Sequence, residues 1–257
     1  MGENKAASEK NEALKFITFR PYRGRGIEVK FEENPYHRYT INGRKILSVT
    51  SVTGLLDKSG PLMWWATGEM AKAIEAGQPI EEARRAYLAT KKEAADLGTR
   101  AHQFAQDYIE AKNPEIPEGD PKLQNAILAF LRLWNDSKIK PIAVEKHLYS
   151  KDWDYAGRCD LVATIGGRTA LIDFKTSKAV YTEFRYQTAA YAEAYSEMKP
   201  KTPIKNRYVF RFDKETGEPE IVKFPPDDFM ADINAFLNLL SVKRREEKIK
   251  DKKNEKT

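Results

Sequence analysis

Two apolar runs joined by Gly166-Gly167 constrain the fold of this chain more than any other feature. The runs are YAGRCDLVATI at 155–165 and RTALIDFKT at 168–176, and both are rich in β-branched and other apolar residues. A Gly-Gly pair between two such runs is typical of a β-hairpin with a two-residue turn. Asp160 and Asp173 each lie about six residues from that turn, so a hairpin places them roughly opposite one another.

The second run carries charged residues where its apolar start predicts a sheet interior. Side chains alternate between the faces of a strand, so Asp173 and Lys175 point one way and Phe174 the other. Two carboxylates side by side in a half-buried sheet repel each other unless a cation or a proton intervenes. A divalent ion with oxygen ligands, usually Mg²⁺, removes that repulsion. An internal Asp173–Lys175 ion pair, with Asp160 at an exposed strand end, is the other interpretation, and these residues alone leave both open.

The hydrophobic pattern divides the chain into a β-rich start, a helical region and a mixed C-terminal half. Residues 15–49 alternate as strands around a type I′ turn at Asn42-Gly43, and helical periodicity then extends to residue 137, with an interruption expected near Gly98. From Pro141 onward the predicted order of elements is βββ-α-β-β-α. This order predicts an α/β (α+β) fold with a small mixed central sheet flanked by helices.

These changes of pattern predict four segments. They are a disordered tail at 1–12, an N-terminal β-hairpin and helical region at 13–140 that packs on the core, the core at 141–242, and a basic tail at 243–257. The basic tail holds eight Lys/Arg and four Asp/Glu in a chain of net charge +6, so the positive charge is clustered rather than spread. A frayed helix end is the preferred interpretation of this tail, and added affinity for nucleic acid is the alternative.

The single cysteine limits both the cellular setting and the metal chemistry. One thiol, Cys159, cannot form an internal disulfide framework or hold an iron–sulfur cluster, which needs several thiolates. An intracellular, cytoplasmic setting therefore fits best. No stretch approaches the roughly 18 apolar residues of a membrane span, so no membrane partner is expected.

Three sets of side chains on predicted helices have both a structural and a functional interpretation. Gln187 and Tyr191 are four residues apart and share a helical face; a surface Gln beside a buried Tyr ring is the commoner outcome, and a joint polar site is the other. A lone helical histidine such as His102 is usually not a ligand, yet neutral imidazole favours Mn²⁺ tolerance where it does bind metal. Trp64-Trp65 is expected in the core, with base stacking as the alternative.

Four motifs in a fixed order resemble a known family. Gly-Thr-x-x-His at 98–102, Gly-x-x-Asp at 157–160, Asp-x-Lys-Thr at 173–176 and Gln-x-x-x-Tyr at 187–191 resemble the RecB-like branch of the PD-(D/E)XK nuclease superfamily. Each motif alone is weak, but their order and spacing together are specific. The segment SVTSVTGLLDKSGPLMWWA at 48–66 looks like the stand-alone phage-type exonucleases of this superfamily. The resemblance implies a restriction-endonuclease-like core.

The resemblance also implies a role for individual residues. The metal would be held by the residues that match the family's ligands: His102, Asp160, Asp173 and the backbone carbonyl of Phe174. The matching catalytic residues are Lys175, Asp160 and Asp173, supported by the pair that stabilises the site and touches DNA, Gln187 and Tyr191.

The upstream helix departs from the family pattern. Many relatives carry Glu four residues after the histidine, whereas this chain has Gln106, which supplies no negative charge. Asp107 points about 100° away on a helix and is a poor substitute. Glu145, on the first strand of the core, could face the site, and a salt bridge at its rim is the equally weighted interpretation.

The predicted function is a Mg²⁺- or Mn²⁺-dependent DNA exonuclease that acts on DNA ends or single strands in replication, recombination or repair. The predicted partners are DNA and, beyond it, a single-strand-binding protein, a helicase or a recombinase, and a phage or prokaryotic origin fits the resemblance. A structure-specific endonuclease is one alternative. A non-catalytic DNA-binding module that keeps the nuclease fold is the other, and Gln106 is the feature that favours it.

Overall fold

The computed structural model of this chain describes residues 14–19, 27–32 and 38–254. The strands in these residues are β1 Leu14–Phe19, β2 Ile27–Glu32, β3 Arg38–Ile41, β4 Arg44–Ser48, β5 Lys140–Ser150, β6 Tyr155–Ile165, β7 Arg168–Lys175, β8 Asn206–Phe212 and β9 Pro219–Phe224. The α-helices are α1 Val49–Thr53, α2 Ser59–Glu75, α3 Ile80–Ala83, α4 Ala86–Ile109, α5 Pro121–Asp136, α6 Thr182–Met198 and α7 Phe229–Asn254.

The described strands form one mixed sheet. In the core, β6 pairs antiparallel with β5 and β7, β7 pairs parallel with β8, and β8 pairs antiparallel with β9. Helix α6 makes the crossover between the parallel strands β7 and β8. The predicted order βββ-α-β-β-α and the predicted mixed α/β class are confirmed.

The N-terminal strands extend this sheet. Strands β1 to β4 form an antiparallel meander, and β4 then pairs parallel with the start of β6 through Leu47–Tyr155 and Ser48–Ala156. The predicted turn at Asn42-Gly43 is present, with φ values of 50° and 77°. Strands from both sides of the boundary predicted at 140/141 thus share one sheet.

Helices cover both faces of the core sheet. Helices α6 and α7 pack on one face, where the buried cluster contains Cys159, Val162, Leu171, Ala190 and Phe236. Helices α4 and α5 pack on the other face, where the buried cluster contains Phe104, Phe130, Leu161, Ile172 and Phe174. Side chains of β7 point alternately to the two faces, so Leu171 lies in the first cluster and Ile172 in the second.

Two expectations about helices were wrong. Helix α4 continues through Gly98 without the predicted interruption. Trp64 is 81% exposed rather than buried in the core, because α2 packs on α4 through the next residue, Trp65, whose ring lies edge-on to Tyr87 at 6.1 Å.

Of the two predicted tails, the structure describes most of the basic one at 243–257. Residues 1–12 lie outside the described part of the chain. Residues 243–254 form the end of α7, where Lys243 lies near Glu247. None of the helices in the described ranges combines the length and apolar character that crossing a bilayer requires.

Candidate active site

Asp160 lies where strands β6 and β7 separate. The ladder between them ends at the pair Leu161–Ile172. One position further along, Oδ2 of Asp160 accepts a hydrogen bond from the backbone N–H of Phe174 at 2.6 Å. A side-chain carboxylate thus takes over an amide that the ladder no longer satisfies. The predicted hairpin is confirmed, and its turn residues Gly166 and Gly167 have φ values of 56° and 75°.

Asp173 is held by two partners on its own face of the sheet. It is 1% exposed, and its Oδ2 forms an ion pair with Nζ of Lys175. Its Oδ1 accepts a hydrogen bond from Nε2 of Gln187 at 3.2 Å. Nζ of Lys175 also lies 4.8 Å from the centroid of the Phe184 ring on α6. The ion pair of the alternative interpretation is therefore present, but Asp160 is not at an exposed strand end, since its side chain is 13% exposed.

Gln187 and Tyr191 lie on the face of α6 that packs against the sheet. Both side chains are buried, and Nε2 of Gln187 donates to the hydroxyl oxygen of Tyr191 at 3.2 Å as well as to Asp173. The commoner outcome, in which Gln187 lies on the surface, is wrong. The two polar groups form a chain that ends on the Asp173 carboxylate, so α6 fixes the orientation of that carboxylate.

Gly157 explains how α6 approaches the sheet so closely. A Cβ atom built on Gly157 would lie 2.4 Å from Cε1 of Tyr191, which is a severe overlap, and 3.2 Å from Cγ2 of Val49. The glycine of the Gly-x-x-Asp motif therefore leaves space for the ring that carries the hydrogen-bonded hydroxyl.

His102 reaches Asp160 from helix α4 on the other face of the sheet. Its Nδ1 lies 3.5 Å from Oδ1 of Asp160, and its ring is edge-on to Phe174 at 5.9 Å. Gly98, one turn earlier, allows this approach, because a Cβ atom there would lie 3.3 Å from Oγ1 of Thr176. The glycine expected to break the helix instead lets α4 pack against the end of β7.

Glu145 joins this site, although the sequence left its position open. Its carboxylate, a ring nitrogen of His102 and the carboxylate of Asp160 have ligand atoms within 4.8 Å of one another, and Asp173 lies outside this group. Oε2 of Glu145 also pairs with Nε of Arg158 at 2.8 Å. The residue has a left-handed φ of 46°, which interrupts the alternation of β5. Counting β5 back from its turn into β6 could have placed Glu145 opposite Asp160, but strict alternation would have sent its side chain to the other face of the sheet.

A cleft of about 530 Å³ opens over His102, Glu145 and Asp160. One wall is α4, and the other is formed by β5 and β6. The polar side chains that line it are Thr99, His102, Gln103, Gln106, Glu145, His147, Arg158 and Asp160. Gln106 lines the cleft where a carboxylate was expected from the family, and its side-chain amide donates to Glu110 at 3.4 Å.

The family model of the PD-(D/E)XK nuclease superfamily matches residues 80–255. This range holds all four motifs and every residue of the cleft. The chain belongs to the PD-(D/E)XK nuclease superfamily. Nucleases of this superfamily act on DNA and typically use divalent metal ions.

Similarities of this nuclease to solved structures are distant. A proposed exonuclease from Eubacterium rectale is 14% identical, with 58% of this chain and 68% of that chain covered and a TM-score of 0.42. The protein SSO0001 is 10% identical, with 55% of this chain and 87% of that chain covered and a TM-score of 0.24. No curated protein matches the chain.

Burial and neighbouring charges separate the pKa values of the nuclease's acidic groups. Burial raises the pKa of Asp173 to about 6; Lys175 opposes this rise and Asp160 adds to it. Burial also acts to raise the pKa of Asp160, but His102, Lys175 and the Phe174 N–H outweigh it, so that pKa is lowered. Burial acts to lower the pKa of His102, but Asp160 outweighs it, so that pKa is raised. The site thus holds one firmly ionised carboxylate and one that is easily protonated.

The side chains of the nuclease cleft fit a divalent cation. Carboxylate and carbonyl oxygens are the ligands of Mg²⁺ and Mn²⁺, and one imidazole is compatible with Mn²⁺. In an extended strand the N–H and C=O of a residue point to the same side. Because the N–H of Phe174 faces Asp160, its carbonyl faces that side as well.

Proposed function

We propose that this nuclease is a metal-dependent exodeoxyribonuclease that hydrolyses phosphodiester bonds at DNA ends or in single strands. The observation that carries the proposal is the convergence of His102, Asp160 and the Asp173–Lys175 pair at the point where β6 and β7 separate. His102 and Asp160 line the cleft, and the neighbouring Asp173–Lys175 pair adds a second carboxylate and an ammonium group. Such a set is suited to binding a cation and a phosphate together.

The proposed metal residues are His102, Asp160, Asp173 and the carbonyl of Phe174. When bound there, Mg²⁺ or Mn²⁺ would polarise the phosphate and lower the pKa of a bound water. The single negative charge of Asp160 is already stabilised by the Phe174 N–H and by His102. Asp173, which forms an ion pair with Lys175, has to share that partner before it can bind a cation.

Lys175 is the proposed catalytic cation. Its ammonium group lies between Asp173 and the face of the Phe184 ring, which limits the positions that its flexible stem can take. From there it can donate a hydrogen bond to the attacking water or to a phosphoryl oxygen. The water oxygen bonds to phosphorus and loses a proton to solvent, the bond from phosphorus to the leaving ester oxygen breaks, and that oxygen takes up a proton.

Gln187 and Tyr191 are the proposed positioning residues. Their hydrogen-bonded chain ends on Oδ1 of Asp173, and their burial directs them to the carboxylate rather than to solvent. We expect them to act on the rate through Asp173.

The size of the cleft supports action on ends or single strands. About 530 Å³ lies in the range of small-molecule pockets, which is room for a short length of single strand. A B-form duplex, whose major groove alone is about 12 Å wide, requires an open surface. A free, buried thiol fits the reducing setting of an intracellular role. The proposed processes are replication, recombination or repair, and the proposed partner is a single-strand-binding protein, a helicase or a recombinase.

The test is a time course with Mn²⁺ on DNA labelled at one end and blocked at the 5′ or the 3′ terminus. The proposal predicts stepwise release of nucleotides or short products from the unblocked end. Lys175→Ala removes the ammonium group of the site, and Lys178→Ala, at an exposed lysine three residues on, is the matched control.

Each of the other outcomes indicates a different function or contradicts the proposed site. Internal cuts on doubly blocked DNA indicate a structure-specific endonuclease. Intact DNA with the wild type, together with retained DNA binding, indicates a non-catalytic module. Equal cleavage by wild type and Lys175→Ala contradicts the proposed site.

A further inference from the structure

Glu145 lies opposite Asp160 on the neighbouring strand. The ladder pairs on either side, Val144–Leu161 and Lys146–Cys159, set this register. The carboxylate of Glu145 reaches the same point as His102, since ligand atoms of all three residues lie within 4.8 Å of one another. Helix α4 and strands β5 and β6 therefore each contribute one residue to this three-residue cluster.

The backbone at Glu145 produces this convergence. Val144 packs in the cluster beneath α4 and α5, so strict alternation would send the side chain of Glu145 to the opposite face. A left-handed φ of 46° turns it to the side of His102 instead. The separation of 4.8 Å suits one ion, because ligands on opposite sides of a cation lie about 4–5 Å apart.

The net charge of Asp160, Asp173 and Lys175 is too small to neutralise a divalent cation without a further carboxylate. Asp160 and Asp173 supply two negative charges, and Lys175 offsets one of them. A divalent cation is then incompletely neutralised by these residues. Gln106, which also lines the cleft, is neutral. Glu145 is the remaining acidic side chain that lines the cleft in the part of the chain that the structure describes.

Arg158 neutralises Glu145 in the metal-free protein. Its Nε lies 2.8 Å from Oε2 of Glu145, and it is two residues before Asp160 on the same strand. An ion pair of this kind reduces the cost of keeping a carboxylate in a cleft. The guanidinium group also lines the cleft, where a DNA phosphate would be a second partner.

We propose that Glu145 is a further metal-binding residue of this nuclease and that Arg158 is the counter-ion it exchanges for the metal. The inference rests on the proposed metal dependence. Binding of the cation by Glu145 breaks its ion pair with Arg158, whose guanidinium group lines the cleft and can then bind the phosphate of the incoming strand.

The experiment is calorimetric titration of Mn²⁺ into the metal-free full chain at fixed pH, without DNA. Glu145→Gln weakens Mn²⁺ binding by about tenfold or more. Glu110→Gln, which neutralises a carboxylate at the C-cap of α4, one turn beyond Gln106, leaves the affinity unchanged. Arg158→Gln tightens binding in the wild-type background because it removes the competing cation, and it has no such effect in the Glu145→Gln background.

The outcomes separate this inference from the proposed function. The inference is overturned if Glu145→Gln binds Mn²⁺ with wild-type affinity, or if Arg158→Gln binds Mn²⁺ more weakly than the wild type. In either case, cleavage of DNA by the wild type with Mn²⁺ still supports the proposed nuclease function. Wild-type protein that binds no Mn²⁺ overturns both. Wild-type protein that binds Mn²⁺ through Glu145 but cleaves no DNA overturns the proposed function alone. If urea unfolding shows that Glu145→Gln is unfolded, the Mn²⁺ affinity of Arg158→Gln alone tests the inference.

Discussion

The ring of Tyr191 lies directly against the backbone of Gly157. A methyl group on Gly157 would be 2.4 Å from Cε1 of that ring, and the hydroxyl of the same ring is hydrogen-bonded to Gln187. A single missing side chain on β6 therefore determines how closely α6 approaches the sheet and where Asp173 is held.

Gly157→Ala tests this contact. The overlap forces the Tyr191 ring away from β6, so we expect a loss of about 1–3 kcal/mol in the free energy of unfolding and a lower rate of DNA cleavage. Urea unfolding and a cleavage assay measure the two effects. Gly60→Ala, at a position with nothing within 4 Å of the added Cβ, is the control. Unchanged stability in Gly157→Ala contradicts the close contact.

Lys175→Met tests the proposed catalytic cation. The change keeps a side chain of similar length but removes the ammonium group that lies beside Asp173 and over the Phe184 ring. We expect cleavage to slow by about 10²–10⁴-fold, the range of a group that assists a proton transfer or a developing charge. Single-turnover rates with saturating Mn²⁺ measure the effect, and a loss of less than threefold or so would exclude such a role.

The stability of the metal-free protein should fall as the pH rises from about 5 to 8. The pKa of Asp173 is raised to about 6 by burial, and that of His102 is raised by Asp160, so both contribute stability that is lost as they deprotonate. The lowered pKa of Asp160 acts in the opposite sense, and its contribution disappears only in acid. For each group, the free energy of unfolding changes by at most about 1.4 kcal/mol per pH unit.

Thermal unfolding in EDTA at several pH values measures this dependence. Between pH 5 and 7, the unfolding temperature of Asp173→Asn should depend less steeply on pH than that of the wild type. The same dependence in both proteins would show that Asp173 titrates normally. Saturating Mn²⁺ should reverse the trend, because the cation binds ionised carboxylates and neutral imidazole.

Trp64→Ala and Trp65→Ala form a matched pair. Trp64 is 81% exposed, so its removal should change the free energy of unfolding by less than about 0.5 kcal/mol. Trp65 packs edge-on against Tyr87, so its removal should cost about 1–3 kcal/mol. Urea unfolding of both variants checks the order, and equal losses would contradict the orientation of α2.

The β6–β7 hairpin shows how far local pattern predicts a site. Gly166 and Gly167 take φ values that glycine adopts readily, and the apolar runs on either side determine the register. Counting from that turn places Asp160, Asp173 and Lys175 at one end of the hairpin. No knowledge of distant contacts is needed, since only a short stretch of chain separates the two strands.

Contacts between distant elements were not predictable in this way. Gly98 has the local character of a helix breaker, yet it lies inside α4 because Thr176 packs against it. Glu145 has the alternation of an ordinary strand residue, yet a left-handed φ turns it to the His102 side. Tertiary packing overrode local propensity at both positions.

The sequence by itself determined the hairpin, the four motifs and, through them, the superfamily. These features depend on neighbouring residues and on spacing, which the chain carries directly. Only the tertiary structure decided that Tyr191 packs on Gly157 and that Glu145 joins His102 and Asp160. Such contacts join separate strands and helices, and their distances depend on the packing of the whole sheet, where one left-handed residue moves a side chain to the other face.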